Sequence, residues 1–153
     1  MKKSILGTSK EEYRRKLNIY IAITVAVIVI TVALNVVLTL LRTESTHAAF
    51  LAVNIIADIA AVWFTIFFVS NVIVIKKRLL SLAERSASGE TFTAEAESVS
   101  ANTVRVSFFN CFEVVCTDGR KFYCAKNGAL CVTAGMKATF TLVENILVEV
   151  EDE

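Results

Sequence analysis

Proline is absent from the 153-residue chain, where ordinary usage of about 5% would supply roughly seven. Glycine is scarce too: five residues, all outside the two long apolar runs at 19–41 and 48–75. Lacking both helix breakers, those runs do not fit the discontinuous helices of transporters. A GxxxG dimer seam is excluded for the same reason, leaving Ala22/Ala26 and Ala57/Ala61 as weaker small-residue pairs. There is one histidine, His47, and it lies far from every cysteine. Motifs such as G-x-S-x-G, HExxH or a phosphate-cradling glycine loop do not occur. The expectation is a non-enzymatic protein without a cofactor. Strong charge of one sign is missing as well, the net being +1. Residues 91–153 are net acidic (−4), which argues against a nucleic-acid footprint there, because phosphate neutralisation needs clustered Lys and Arg.

What the sequence does have is hydrophobicity, 55% apolar against 20% charged residues. Ile19–Leu41 carries no formal charge, and Ala48–Ile75 carries only Asp58. A hydrocarbon core needs roughly 20 helical residues, so both runs are long enough to span. Six residues, 42–47, separate them, which suffices for a tight turn between antiparallel helices. The first run is too long and begins too late for a cleaved signal peptide, despite the small-residue site at Thr46–Ala48. Arg14, Arg15 and Lys16 precede the first span and Lys76, Lys77 and Arg78 follow the second, whereas the loop offers only Arg42. By the positive-inside rule both termini are expected in the cytoplasm, with the hairpin in the inner membrane. Tyr20 and Phe50 fall near the interfaces, and Trp63, Phe64, Phe67 and Phe68 at mid-membrane depth, where they are expected to pack or face lipid.

Ser9 with Glu12 matches a capping box that starts a helix leading into the first span. After Ile75 no breaker occurs until Gly89, a candidate C-cap. Val72, Ile75, Leu79 and Leu82 recur at three- and four-residue spacing, giving a stripe suited to residues 10–18 of the same chain or to a coiled coil between subunits.

Asp58 lies roughly 12 Å below the outer end of the second helix. A carboxylate there costs at least ~2.5–3.5 kcal/mol on insertion scales, so it should be neutralised, paired or wetted. Asn54 precedes it by one turn and Thr65 extends the stripe, while the first helix places Thr24, Thr31, Asn35 and Thr39 at comparable spacing. In an antiparallel hairpin position 35 faces positions 55–57, so Asn35 is expected to meet the Asn54–Asp58 face. The intramembrane polar cluster is therefore Asn35, Asn54, Asp58 and Thr65. It is read first as interhelical hydrogen bonding and second as a pore-facing or subunit-interface group.

From Thr91 the period becomes two. Val104, Val106, Phe108, Phe112, Val114 and Cys116 alternate, interrupted by Asn110. Thr117-Asp118-Gly119 fits a three-residue hairpin that pairs Val114 with Phe122 and Phe112 with Cys124. Asn127-Gly128 is a second turn signal, which would set Cys124 opposite Cys131. Met136, Ala138, Phe140 and Leu142 alternate again, and Val143-Glu144-Asn145 turns the chain towards Ile146, Val148 and Val150, with Asn145 in the left-handed position. Glu149 and Glu151–Glu153 read as a solvated end. Cys111, Cys116, Cys124 and Cys131 lack metal-ligand spacing and are expected to be small buried hydrophobes, with no metal site.

The fold class is thus membrane α+β: a transmembrane hairpin, a cytoplasmic helical extension and a small C-terminal antiparallel β-barrel, SH3-like or OB-like. Its segments are a basic helix start (1–18), first span (19–41), external turn (42–47), second span (48–75), stalk and linker (76–90) and barrel (91–153). Two helices followed by such a barrel resembles, in layout alone, NfeD-like membrane proteins, which implies an OB barrel that partners membrane scaffolds. The expected function is self-association through the helices, the barrel serving as an assembly or partner-binding module. Expected partners are the lipid bilayer, further copies of the chain and a second membrane or cytoplasmic protein. The alternatives are a small channel or membrane-perturbing effector gated by the barrel, and a membrane-tethered ligand sensor.

Overall fold

The computed structural model of the chain describes residues 2–41 and 47–152. Residues 42–46 of the expected external turn, with Arg42, and the terminal Glu153 lie outside the described residues. Two compact units are formed, one by residues 16–74 and the other by residues 2–15 together with 75–152.

Helix α1 spans Lys10–Leu41 and α2 spans His47–Phe68. Both apolar runs are long enough to cross a membrane. The α1 start matches the capping expectation, because Ser9 Oγ accepts a hydrogen bond from the Glu12 N–H at 3.2 Å. The second run is not the uniform helix its composition suggests. A π turn at Val69–Ile73 interrupts it before α3, Val74–Glu84. Ser70 Oγ donates to the Ile66 carbonyl at 2.5 Å and Asn71 Nδ2 to the Phe67 carbonyl at 3.0 Å. Those carbonyls are the ones the i→i−4 ladder would use at positions 70 and 71, where the backbone widens by one residue.

The second unit is built on a mixed six-stranded sheet. Its strands are β1 (Lys2–Ser4), β2 (Glu90–Val106), β3 (Phe109–Cys116), β4 (Lys121–Ala125), β5 (Lys137–Val143) and β6 (Ile146–Asp152). Their order is β1-β6-β4-β3-β2-β5, and β5 returns to pair with β6. The β4 hairpin has the register its turn chemistry dictates, Val114 opposite Phe122 and Phe112 opposite Cys124. Gly119 supplies the left-handed residue of that turn at φ +83°. Phe92, Phe122 and Phe140 pack at centroid separations of 5.0–6.2 Å. Phe122 and Phe140, with Val114, Ile146, Leu147 and Val148, form a core that excludes solvent, and Phe92 covers its edge half-buried.

Several expectations need correction. The sheet is not wholly antiparallel, because β4 meets β6 in parallel at Tyr123 and Ile146. Residues 2–4 are a strand, not part of a helix start, and Lys3 stands opposite Val150. Ile5 and Leu6 follow into the core, and Gly7 turns the chain at φ +67°, where a Cβ would also lie 2.6 Å from that of Ala129. The alternation read as continuous from Val104 to Cys116 reverses at Ser107-Phe108, so Val106 pairs with Phe109. Phe108 and Val104 are consequently exposed, whereas Phe109 and Cys111 are fully buried. No strand follows Asn127-Gly128; the chain stays irregular until β5. The β5–β6 turn has two residues, Glu144 and Asn145, both at positive φ. Glu149 is not a solvated end, since it lies in β6 and accepts an ion pair from Lys2 at 2.8 Å. That hydrogen bond to Glu149 holds the Lys2 ammonium above its ordinary pKa.

Gly89 is not a left-handed helix cap. Its φ is −74°, and a 3₁₀ turn, Ser86–Ser88, separates it from α3. The glycine is required by space instead, for a Cβ there would stand 2.6 Å from the Leu142 carbonyl oxygen. On α3 the buried face comprises Leu79, Leu80, Leu82 and Ala83, wider than a coiled-coil stripe. It is occupied within one chain. Glu84 pairs with Arg14 at 2.6 Å, and Lys76 stands over the Tyr13 ring at 5.3 Å. Arg78 and Arg85 both pair with Glu144 in the β5–β6 turn. Hydrogen bonding from Arg85, then attraction from both arginines, outweighs desolvation and holds the Glu144 carboxyl below the usual glutamate range.

Candidate functional site: a polar pair on the helical hairpin

Along α1 from residue 16 onwards the less exposed residues are Leu17, Tyr20, Thr24, Val27, Thr31, Asn35 and Leu38. Along α2 they are Phe50, Asn54, Ala57, Ala61, Thr65 and Phe68. Both sets step by three or four residues, as residues along one face of a helix do. Aromatic packing closes one end, with Tyr20 5.8 Å from Phe68, which stacks on Phe64 at 5.2 Å. Trp63 and Phe67 point outwards, 70% and 61% exposed.

The threonines of α1 bond inside their own helix. Thr24 Oγ1 donates to the Tyr20 carbonyl at 3.0 Å, Thr31 Oγ1 to that of Val27 at 2.9 Å, and Thr39 Oγ1 to that of Asn35 at 2.7 Å. Back-bonding of this kind satisfies the hydroxyl without help from α2. Asn35 instead reaches across. Its Nδ2 donates to Asp58 Oδ1 at 2.6 Å and also to the Thr31 carbonyl at 3.1 Å. The seam therefore joins Asn35 to Asp58, as the antiparallel geometry requires.

Asn54 and Thr65 do not join that bond. Asn54 Oδ1 is buried without a hydrogen-bond partner among the described residues. Thr65 lies one turn past Ala61, on the wall of a groove of about 520 Å³ that Thr31, Asn35, Asp58 and Ala61 also line. Asp58 itself is exposed on the hairpin surface. Around it Ile55, Ile59 and Val62 are each at least half exposed, so the carboxylate sits in an apolar belt.

Among the six basic residues that flank the spans, Arg14, Lys76 and Arg78 make the ion-pair and cation–π contacts described above. Arg14, Arg15, Lys16 and Lys77 are exposed. Arg78 thus has a packing role that its position in a charge count does not reveal. The signal available was the basic and acidic residues at helical spacing against a turn containing Glu144.

Cys111, Cys116 and Cys124 are buried and Cys131 is exposed. Burial pushes the Cys111 and Cys116 thiols up, and Cys124 up to about 11. Cys124 Sγ donates to the Leu130 carbonyl at 3.5 Å. Protonated, enclosed thiols are poor nucleophiles and poor metal ligands. Among the described residues no group of His, Cys, Asp and Glu is arranged to hold a metal ion. No family model, curated protein or solved structure matches the chain.

Proposed function

We propose that the chain is a non-enzymatic, two-pass inner-membrane protein that self-associates through its helices and presents its sheet unit in the cytoplasm as an assembly or partner-binding module. One observation carries the reading: Asp58 lies on the exposed surface of an apolar hairpin, with Asn35 as its hydrogen-bond partner. Hydrocarbon is a poor solvent for a carboxyl group, so that surface favours a second apolar surface with polar groups at the same depth.

The sheet unit is read as an OB-like barrel. Strands β2, β3, β4, β6 and β5 pair in a circuit that returns to β2, and the parallel β4–β6 contact favours this arrangement over an all-antiparallel SH3-like meander. In that reading β1 is an added strand on the β6 edge, which β4 shares. Its cytoplasmic side follows from the basic residues beside the spans.

Light scattering in mild detergent, corrected for bound detergent, tests the proposal. A single defined oligomer is expected. A monodisperse species at the chain mass of 16.8 kDa in several detergents would overturn it. A second reading, a pore between subunits, is favoured by the alignment of Thr31, Asp58 and Thr65 on one groove. It predicts altered ion flux in Asp58→Asn with assembly intact, whereas a purely adhesive role predicts no flux in either protein.

A further inference from the structure

We propose that the groove beside Asp58 is the contact face between two copies of this chain, related by a two-fold axis along the membrane normal; the inference rests on the self-association reading above. Asp58 Oδ2 has no partner among the described residues, while Oδ1 takes the Asn35 amide. Both Nδ2 bonds of Asn35 are made within the hairpin, to Asp58 and Thr31. The hairpin therefore presents one spare carboxyl oxygen and cannot supply its donor from Asn35.

The occupant follows from depth. Rotation about the membrane normal leaves every residue at its own depth, so the polar layer of one copy meets the polar layer of the next. The Thr31 hydroxyl and the Asn35 amide of a second copy are bonded within their own hairpin, but its Thr65 hydroxyl reaches the level where a donor is needed, and about a two-fold axis the interface is self-complementary. Each copy carries the same spare oxygen and the same Thr65 hydroxyl on the groove, so one contact, Thr65 donating to Asp58, serves both partners. Ala61 in the groove floor leaves space for close approach, and Val62 and Ile66 on its rim provide apolar contact. The opposite side of α2, with Ile56 and Trp63 68% and 70% exposed, carries no polar group at that depth and is left to lipid.

Single cysteines distinguish these faces in the full chain. In a Cys131→Ser background, Val62→Cys and Thr65→Cys report on the groove, and Ile56→Cys and Trp63→Cys on the far side. A membrane-permeant oxidant should produce disulfide-linked dimers from the first pair and not from the second. Asp58→Asn, which keeps hydrogen-bonding capacity, should retain the link. Asp58→Leu should weaken association roughly 3- to 20-fold for each inter-chain bond lost. Dimers linked through Ile56→Cys or Trp63→Cys would overturn the groove assignment and leave self-association standing. A monomeric mass with no link from any of the four positions would remove self-association itself.

Discussion

Ile5→Ala measures how firmly the amino-terminal strand belongs to the sheet. The side chain is 2% exposed. Its backbone N–H donates to the Val148 carbonyl at 2.8 Å, and its carbonyl accepts from the Ala129 N–H at 2.8 Å. One residue thus ties β6 to the irregular segment after β4. Truncation removes three buried carbons, about 2.4 kcal/mol of transfer free energy at ~0.8 each, and the cavity raises the cost to about 3 kcal/mol. The Lys2–Glu149 pair, whose lysine is 58% exposed, contributes at most about 1 kcal/mol and does not compensate. Loss of about 3 kcal/mol raises the population of the opened form about 100-fold. Fluorescence is the wrong probe, since the single Trp63 lies in the hairpin unit. Thiol labelling is suited to it. Cys124 donates to the Leu130 carbonyl, one residue beyond the Ala129 contact, while exposed Cys131 serves as an internal standard. Pulse labelling in detergent, read by peptide mass spectrometry, should show Cys124 reacting about 100-fold faster relative to Cys131. An unchanged ratio would refute the docking of β1.

Gly128→Ala approaches the same contact from the other side: its Cβ would stand 2.8 Å from Ile5 Cγ1 and 3.2 Å from the Ala125 carbonyl oxygen. A loss of about 1–3 kcal/mol in thermal or denaturant unfolding is expected, and a neutral result would contradict that packing. Glu144→Gln should destabilise the sheet unit near neutral pH. Because the Glu144 carboxyl is depressed in the folded chain, its contribution is present above the unfolded value of about 4.3 and is lost as pH falls through the folded one. The stability difference between wild type and variant should therefore stay level from pH 8 to 5 and shrink below about 4; a difference that widens on acidification would be the opposite sign. Exposed Cys131 should be modified by a membrane-impermeant maleimide in inverted inner-membrane vesicles and protected in right-side-out ones, and the reverse pattern would invert the proposed orientation.

The helical hairpin and the Asn35–Asp58 contact were legible because antiparallel geometry and a 3.6-residue repeat determine which depths meet. One loop length is enough to align the two helices. The β3–β4 hairpin was legible for a similar reason, Asp118-Gly119 specifying both turn and register. The Ser107-Phe108 reversal carries no glycine, asparagine or aspartate at its left-handed position, Ser107, so alternation alone ran straight through it. Strand β1 is the extreme case. Lys2, Lys3 and Ser4 have no apolar pattern, and their partner strand is almost the whole chain away; main-chain bonds and the two buried residues after them hold the strand. The π turn was equally hidden, because its residues, Val69–Ile73, include neither proline nor glycine.

The charge partition takes on a second meaning in this light. Positive residues near the span ends are counted when orientation is read from sequence, yet Arg14 and Arg78 also hold folded contacts with Glu84 and Glu144. Pairing does not weaken the topological argument, since the rule concerns the chain as it inserts, before those partners have folded. It adds a constraint of another kind. Residues 2–15 precede the first apolar run and residues 75–152 follow the second, and the two form one unit. If both runs span, Lys2 can meet Glu149 and Arg14 can meet Glu84 only when the two flanks emerge on the same side. An even number of crossings is then supported by ion pairs and buried apolar contacts, independently of any tally of lysine and arginine.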